Sequence, residues 1–222
     1  MSLTRNDIYD LYRRRAANYD FTANLYYLIG FRETKYRKMA ISALGLKPGD
    51  TVVEIGCGTG LNFQYLIDSI GGTGQLIGVD LTDAMLVKAR ARIEKNGWNN
   101  VQLVQCDAAE YTFPPDINGI ISTFALTLVP EYEVIIERAC NALVPGGRLV
   151  ILDLKKADRY PLWVSKLGVS ITKPFGVTLD MTERKPWEAM KRYFPEVTIS
   201  ELYGGFAYLA VGEKQKGNPV VS

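Results

Sequence analysis

The stretch VVEIGCGTG, from Val52 to Gly60, combines a carboxylate with three glycines at every second position, directly after an apolar run. Closely spaced glycines let a chain turn sharply and let a ligand approach the backbone. A dinucleotide fingerprint would need a glycine at Leu61 or Phe63, and the GK[ST] ending of a P-loop is missing here. The carboxylate of Glu54 beside the turn disfavours a phosphate and suits a ligand that carries an ammonium or sulfonium cation.

Two more acidic residues follow at spacings that bring them to the same edge of a sheet. Asp80 ends the run QLIGVD, twenty residues after Gly60, and Asp107 ends the run VQLVQCD. A carboxylate after the second strand can accept both hydroxyls of a ribose, and one after the third strand can accept an adenine amino group. Singly, each acid is explained as well by a helix N-cap or a solvated side chain. Three acids at successive strand ends predict a ligand-binding crevice.

Apolar periodicity places these residues on alternating strands and helices. Strands are predicted over 51–55, 75–80, 101–107, 119–126 and 148–154, and helices over 62–70, from 82 or 83 to 96, and over 131–143. This alternation predicts a parallel, doubly wound α/β sheet. Residues 4–44 are predicted to be helical, and VTISELYGGFAYLAVGEK predicts two terminal strands that turn at Gly204-Gly205.

The amino-acid composition excludes several classes of catalytic and metal site. The 222 residues are 47% apolar and 23% charged, as in an ordinary globular α/β domain. The chain contains no histidine, which excludes a histidine general base, a Ser-His-Asp triad and a histidine metal ligand, and no metal site is predicted. Three cysteines without a paired spacing favour a reducing compartment, and Cys57 and Cys106 are expected to fill space near a ligand rather than act as nucleophiles.

The charge distribution bears on whether the chain binds nucleic acid or a membrane surface. A net charge of +2 provides no field for nucleic acid, so no nucleic-acid partner is predicted. Residues 1–40 carry eight basic and four acidic residues among six tyrosines. This charged start and the shortness of the apolar runs predict a cytoplasmic protein without a signal peptide or a membrane span, and leave peripheral membrane contact open.

The motifs VVEIGCGTG, GVD and QCDA at these spacings resemble the class I S-adenosylmethionine-dependent methyltransferases, over roughly residues 45–155 and the terminal hairpin. The resemblance implies a Rossmann-like, doubly wound seven-stranded sheet with an antiparallel last strand. It also implies an enzyme that takes S-adenosylmethionine and releases S-adenosylhomocysteine. The implied domains are an N-terminal helical lid at 1–44 and a methyltransferase domain at 45–222, with a substrate-cap insertion at 155–194.

The resemblance carries site residues with it. It assigns Glu54 and the three glycines to the methionine end of the cofactor, Asp80 to the ribose, Asp107 to the adenine amine, and Thr123 to the border of the methyl group. The full set of implied cofactor-binding residues is Tyr19, Glu54, Gly56, Cys57, Gly58, Gly60, Asp80, Leu81, Asp107, Ala108 and Thr123. The candidates for a catalytic role are Tyr19, Thr123 and Asp153.

The segment AANYDF resembles a subgroup, the quinone-biosynthesis methyltransferases and bacterial phospholipid N-methyltransferases. This likeness implies that Tyr19 lies over the cofactor as part of a lid, whereas the alternative is a tyrosine on the apolar face of a covering helix. The implied acceptor is a small molecule or a lipid, with the amine of a phospholipid headgroup as the leading case. C- or O-methylation of a quinone or another small molecule, and a non-catalytic S-adenosylmethionine-binding module, are the alternatives. The oligomeric state is not predicted.

Overall fold

The computed structural model of the chain describes residues 5–17, 19, 30–157 and 184–215. Seven strands and six α-helices lie in these ranges. The strands are β1 (Thr51–Ile55), β2 (Gln75–Asp80), β3 (Val101–Gln105), β4 (Ile117–Thr123), β5 (Leu143–Leu154), β6 (Val197–Leu202) and β7 (Ala207–Glu213). The helices are α1 (Arg5–Arg15), α2 (Glu33–Ala43), α3 (Phe63–Ile70), α4 (Asp83–Asn96), α5 (Tyr132–Ala142) and α6 (Pro186–Tyr193).

The strands form one mixed sheet in the order β3-β2-β1-β4-β5-β7-β6. The first five pair in parallel, whereas β7 inserts antiparallel between β5 and β6. The order reverses between β1 and β4, and in a sheet of this kind ligands bind outside the carboxyl ends of the strands at that reversal. The predicted seven-stranded α/β fold and the terminal hairpin are confirmed.

The sheet carries an apolar layer on each face, because side chains alternate along its buried strands. In β1, Val53 and Ile55 belong to one layer and Val52 to the other. The first layer receives Ile135 and Ala139 from α5 and Met190 from α6, and the second receives Ile41 from α2, Leu66 from α3 and Leu86 from α4. Burial of apolar surface stabilises a fold by about 25 cal/mol per Å². The two apolar layers therefore stabilise the sheet, and the sheet fixes the positions of the strand ends.

Three strands have limits that differ from the sequence prediction, and one of them is β4, which spans Ile117–Thr123 rather than 119–126. β5 begins at Leu143, so the Val-Pro-Gly-Gly stretch predicted as a loop lies within it. Leu143 pairs with Ile117, the register then shifts, and Arg148 pairs with Gly119. β3 ends at Gln105, which places Asp107 in the following loop rather than on the strand.

Parts of the predicted domain organisation lie outside the described residues. Residues 158–183 contain most of the predicted substrate cap, and the N-terminal segment is described at 5–17, 19 and from 30 onwards. The lid and the cap therefore stay predictions. In the described parts, no helix has the length and apolar character to cross a membrane.

Candidate functional site

A cavity of about 260 Å³ opens where the sequence predicted a site, at the carboxyl ends of the first four strands. Eight predicted site residues line it: Tyr19, Gly56, Gly58, Asp80, Leu81, Asp107, Ala108 and Thr123. Glu54, Cys57, Gly60 and Asp153 are not among its lining residues. Other lining residues were not part of the predicted site, among them Ile8, Tyr12, Met85, Cys106, Phe124 and Ala125.

The glycines of the loop after β1 have three different environments, although all three have left-handed backbone with φ between 54° and 78°. A Cβ added to Gly56 would overlap the Cβ of Ala125. A Cβ at Gly60 would lie 2.6 Å from the Phe63 ring. At Gly58, no atom of the other described residues, apart from its chain neighbours, lies within 4 Å of an added Cβ. Gly56 and Gly60 are therefore required by packing, whereas Gly58 leaves room for a ligand to touch the backbone.

Asp80 is fixed beside this loop by two backbone hydrogen bonds. Its Oδ2 accepts from the N–H of Gly58 at 2.8 Å, and its Oδ1 accepts from the N–H of Thr82 at 2.8 Å. Burial raises the pKa of the Asp80 carboxyl, and these N–H donors oppose that rise. Each carboxylate oxygen has a second lone pair, so the side chain can still accept from a ligand in the cavity.

Asp107 and Ala108 form the opposite wall. The Asp107 Oδ1 accepts from the N–H of Ala109 at 2.8 Å, a local turn that holds the carboxylate beyond the end of β3. Asp80 at the end of β2 and Asp107 in the loop after the neighbouring strand β3 thus line one cavity. Such a pair provides acceptors for a ligand that bears hydroxyl and amino donors.

Glu54 lies under the cavity with only 1% of its surface exposed. Its Oε1 accepts from the Asn62 amide nitrogen at 2.6 Å, and its Oε2 has no hydrogen-bond partner among the described residues. Burial raises the pKa of the Glu54 carboxyl to about 8, although the Arg37 guanidinium and the Asn62 hydrogen bond both lower it. A buried oxygen without a donor fits a site that is completed by a cationic ligand.

Arg37 is buried beside Glu54 and is not among the predicted site residues. Its Nε and Nη2 lie 2.7 and 2.6 Å from Glu33 Oε1, and its Nη1 donates to Thr123 Oγ1 at 2.6 Å and to Asn62 Oδ1 at 3.2 Å. The i, i+4 spacing of Glu33 and Arg37 is the one available signal, and it is more typical of an exposed helix pair.

Thr123, at the end of β4, joins this network to the cavity. Its hydroxyl oxygen accepts from Arg37 and, at 2.9 Å, from the Asn62 amide nitrogen. A hydroxyl has two acceptor sites and one donor. Because both acceptor sites are in use, Thr123 has its proton left to donate, and it is poorly suited to act as a base.

The N-terminal segment closes one side of the cavity. Ile8, Tyr12 and Tyr19 line it, and the two tyrosine rings lie with their centroids 6.2 Å apart. Arg13 forms an exposed ion pair with Asp83 at the start of α4, at 3.6 Å. Burial raises the pKa of the Tyr19 phenol to about 12, so the phenol stays neutral near pH 7. Tyr19 thus lines the cavity, and its role as a lid over the cofactor stays a prediction.

Asp153 and Cys57 are both buried away from the lining. Asp153 accepts backbone N–H bonds from Thr127 at 2.9 Å and from Leu154 at 2.8 Å, and burial raises its pKa to about 6. Burial raises the pKa of the Cys57 thiol well above its usual value, which fits the expected role of a filler. The described residues contain no group of three acidic or cysteine side chains that would hold a metal ion.

An aromatic cluster borders the cavity beyond β4. Phe124 and Tyr203 both have left-handed backbone, with φ of 57° and 48°, and both contact the Phe31 ring edge-on, at centroid distances of 5.7 and 5.1 Å. Such backbone costs about 1–2 kcal/mol per residue, and it tends to occur at functional sites. Arg37 lies 5.2 Å from the centre of the Phe124 ring.

Comparison with known proteins identifies methyltransferases as relatives of this chain. Residues 52–147 match a family described as a methyltransferase domain. The ubiquinone/menaquinone biosynthesis C-methyltransferase UbiE of Ectopseudomonas mendocina (strain ymp) is 31% identical over 149 residues, covering 66% of this chain and 57% of that relative. The demethylmenaquinone methyltransferase of Staphylococcus aureus (strain JH9) is 26% identical over a 238-residue alignment, which covers 96% of this chain and 95% of that relative.

Among solved structures, a Haemonchus contortus phosphoethanolamine N-methyltransferase 2 has a similar fold. It was solved with phosphomonomethylethanolamine and S-adenosylhomocysteine, and it superposes with a TM-score of 0.60 at 25% identity. The match covers 76% of this chain and 39% of that one. The chain thus spans 57% of the length of the Ectopseudomonas relative and a smaller part of the nematode enzyme.

Proposed function

Because this chain belongs to the class I S-adenosylmethionine-dependent methyltransferases, we propose that it transfers a methyl group from S-adenosylmethionine to a small-molecule acceptor. The observation that carries the proposal is the cavity at the strand ends, which is lined by Asp80, Asp107 and the open backbone of Gly58. Glu54 lies beneath it, and one of its carboxylate oxygens has no hydrogen-bond partner within the described parts of the chain. These groups match a nucleoside at one end and a cationic amino acid at the other.

We assign each part of the cofactor to a different group of residues. Asp80, oriented by the N–H groups of Gly58 and Thr82, accepts the ribose hydroxyls with its remaining lone pairs. Asp107 accepts the adenine amino group, and Ala108 borders the ring. The methionine end lies on the Gly58 backbone above Glu54. The buried Glu54 carboxylate then faces a cation, which favours its ionised form.

Positioning is the main contribution of the protein to the chemistry. The sulfonium of the bound cofactor makes its methyl group electrophilic, so alignment with the acceptor supplies much of the acceleration. Thr123 orients the donor by donating its free proton. Tyr12 and Tyr19 exclude water from the N-terminal side, where Tyr19 acts as part of a lid.

We propose an amine as the acceptor. Phe124 offers a ring to the cavity, and an aromatic face attracts, by about 0.5–2 kcal/mol, the ammonium ion that forms when a neutral amine takes the methyl group from the sulfonium. An aromatic carbon acceptor requires a phenolate, and because the chain has no histidine, a carboxylate or water would have to form it, which favours nitrogen as the acceptor. The second candidate is a quinol carbon, because the demethylmenaquinone methyltransferase of Staphylococcus aureus aligns with 96% of this chain.

The test compares both acceptors directly. Purified protein and labelled S-adenosylmethionine are incubated with phosphatidylethanolamine vesicles, with free phosphoethanolamine, and with a reduced demethylmenaquinone. The Asp80→Asn variant serves as the inactive control. Label in either amine supports the first candidate and label in the quinol supports the second. Binding of S-adenosylmethionine without transfer to these acceptors or to a fractionated cell extract would overturn the proposed activity in favour of a binding module.

A lipid acceptor would require contact with a membrane surface. We propose that the basic start of the chain provides it, since Arg13 and Arg14 are exposed on α1, whose Ile8 and Tyr12 line the cavity. Anionic vesicles are expected to co-sediment the protein, and less so after Arg13→Ala and Arg14→Ala. Co-sedimentation that persists unchanged in the double variant would count against this surface.

A further inference from the structure

Five polar side chains from four parts of the chain are buried together beneath the cavity. They are Glu33, Arg37, Glu54, Asn62 and Thr123, and each is less than 9% exposed. We call them the Arg37 network. Glu33 and Arg37 come from α2, Glu54 from β1, Asn62 precedes α3, and Thr123 ends β4. Thr123 is the one member that lines the cavity.

Arg37 holds this network together from outside the cavity. Glu33 occupies the Nε and Nη2 groups of the guanidinium and so compensates the buried charge within α2 itself. The Nη1 group instead crosses to the sheet, where it donates to Thr123 and Asn62. The Asn62 amide nitrogen in turn donates to Glu54 Oε1 at 2.6 Å, so Asn62 links Arg37 to Glu54. The planar guanidinium of arginine has several N–H donors and can bond Glu33 and the residues at the sheet at the same time, whereas the ammonium of lysine is a single point of contact.

We propose that Arg37 is a positioning residue for the methyl donor, holding the Thr123 hydroxyl directly and the Glu54 carboxylate through Asn62. The inference rests on the proposed function. Arg37 lies on α2, before residues 52–147 that match the methyltransferase domain. A helix of the N-terminal region thereby completes the floor of the donor site.

The charge of Arg37 also acts on Glu54. Among the described residues, three titratable groups interact electrostatically with Glu54: Arg37 from α2, Asp80 from β2 and Cys57 from the glycine loop. Burial raises the pKa of Glu54, Arg37 lowers it and Asp80 raises it further. Without the guanidinium, Glu54 holds its proton to higher pH. A protonated carboxyl does not attract the cationic end of S-adenosylmethionine, so donor binding then requires a higher pH.

A purely structural role is the competing explanation, since the same hydrogen bonds anchor α2 to the sheet. Removing Arg37 alone would confuse the two roles, because Glu33 would be left as an unpaired buried charge. The double variant Glu33→Gln, Arg37→Gln removes the cation and its own counter-ion together. Lys35→Gln is the matched control, because Lys35 is an exposed cation on the same helix.

The experiment measures the dissociation constant of S-adenosylmethionine by calorimetry from about pH 6 to about pH 9 in parallel with thermal unfolding. In the double variant, affinity near pH 7.5 is expected to fall about tenfold or more, and the pH of half-maximal binding is expected to move upward. Lys35→Gln is expected to change neither quantity. A folded double variant with wild-type affinity and pH dependence would overturn the proposal.

Arg37→Lys separates the charge from the hydrogen bonds and serves as the deciding variant if the double variant does not fold. It keeps a cation near Glu54, so the pH of half-maximal binding is expected to stay near that of the wild type. It loses the connection to Thr123 and Asn62, so affinity is expected to fall several-fold at every pH. Wild-type affinity in Arg37→Lys would overturn the hydrogen-bond role.

These outcomes are distinct from a failure of the proposed function, because no acceptor is present. Wild-type protein that binds S-adenosylmethionine but methylates nothing leaves the role of Arg37 standing and removes the proposed transfer. Wild-type protein that does not bind S-adenosylmethionine overturns both.

Discussion

Replacing Glu54 by glutamine is expected to make the protein more stable while it weakens donor binding. The Glu54 side chain is 1% exposed, and burial raises its pKa from 4.5 to about 8. In the unfolded chain the carboxyl is ionised above about pH 4.5, whereas in the folded protein it keeps its proton up to about pH 8. The folded state therefore binds more protons between these values, and the stability of the wild type falls as the pH rises.

The size of the effect follows from the two pKa values. Each pH unit inside the window costs the wild type about 1.4 kcal/mol of unfolding free energy relative to a neutral side chain. Between about pH 5.5 and about pH 8, the advantage of Glu54→Gln is expected to grow by about 3 kcal/mol. Constant effects of the substitution, such as a changed hydrogen bond to Asn62, cancel in this difference.

The measurement is urea unfolding of wild type and variant at several pH values, followed by circular dichroism. Asp153→Asn is the matched control, because burial raises the pKa of Asp153 to about 6 only. Its advantage is expected to level off above about pH 6, whereas that of Glu54→Gln continues to rise to about pH 8. A Glu54→Gln advantage that does not change with pH would refute the inferred protonation of Glu54.

Three further outcomes are expected. Asp80→Ala should weaken S-adenosylmethionine binding by about 100-fold in calorimetry, because it removes a charged acceptor for two hydroxyls; unchanged affinity would contradict the ribose assignment. Gly60→Ala should lower the melting temperature markedly, since its Cβ would press into the Phe63 ring, whereas Gly58→Ala should keep more of the stability and lose donor affinity. Equal stability losses in the two variants would contradict their different environments. S-adenosylmethionine should slow alkylation of Cys106, which lines the cavity; since burial raises the pKa of this thiol, the reaction is best followed by mass spectrometry above about pH 8.

The parts of the fold that were predictable from sequence depend on local signals. The helix from Asp83 ends at Asn96 because Gly97 takes the left-handed conformation that caps a helix, with φ of 68°. The β1 and β2 runs are short, apolar and bounded by turn residues, and their observed limits equal the predicted ones. Each of these features is decided by a few neighbouring residues.

The start of β5 depends on distant residues and was not predicted. Proline and two glycines mark the stretch at 145–147 as a loop by their local conformational preferences. In the structure, Gly146 and Gly147 exchange backbone hydrogen bonds with Lys214, at 2.8 and 2.9 Å. A partner almost 70 positions away leaves no local pattern.

The candidate site also contains residues that local sequence signals predict and residues that only tertiary packing brings together. The acids and glycines of the cavity stand at strand ends, so their grouping followed from the topology. Glu54 and Thr123 of the Arg37 network were predicted, whereas Glu33, Arg37 and Asn62 were missed because tertiary packing of α2 brings its charged pair to the sheet. Asn62 precedes α3 without capping it through its side chain, since its amide instead serves Glu54 and Thr123.

The antiparallel insertion of β7 has a consequence for the order in which a growing chain completes its sheet. Among the described strands, β6 pairs with β7 alone, and β7 is later in the chain than both of its neighbours. On the ribosome, β5 is therefore an open sheet edge until residues 207–213 emerge, and open edges invite pairing with other chains. The lining of the cavity at the strand ends, the proposed donor site, comes from residues 8–131, which emerge earlier. We expect the nascent chain to assemble its donor site before its sheet is closed, so S-adenosylmethionine can stabilise the unfinished half during synthesis.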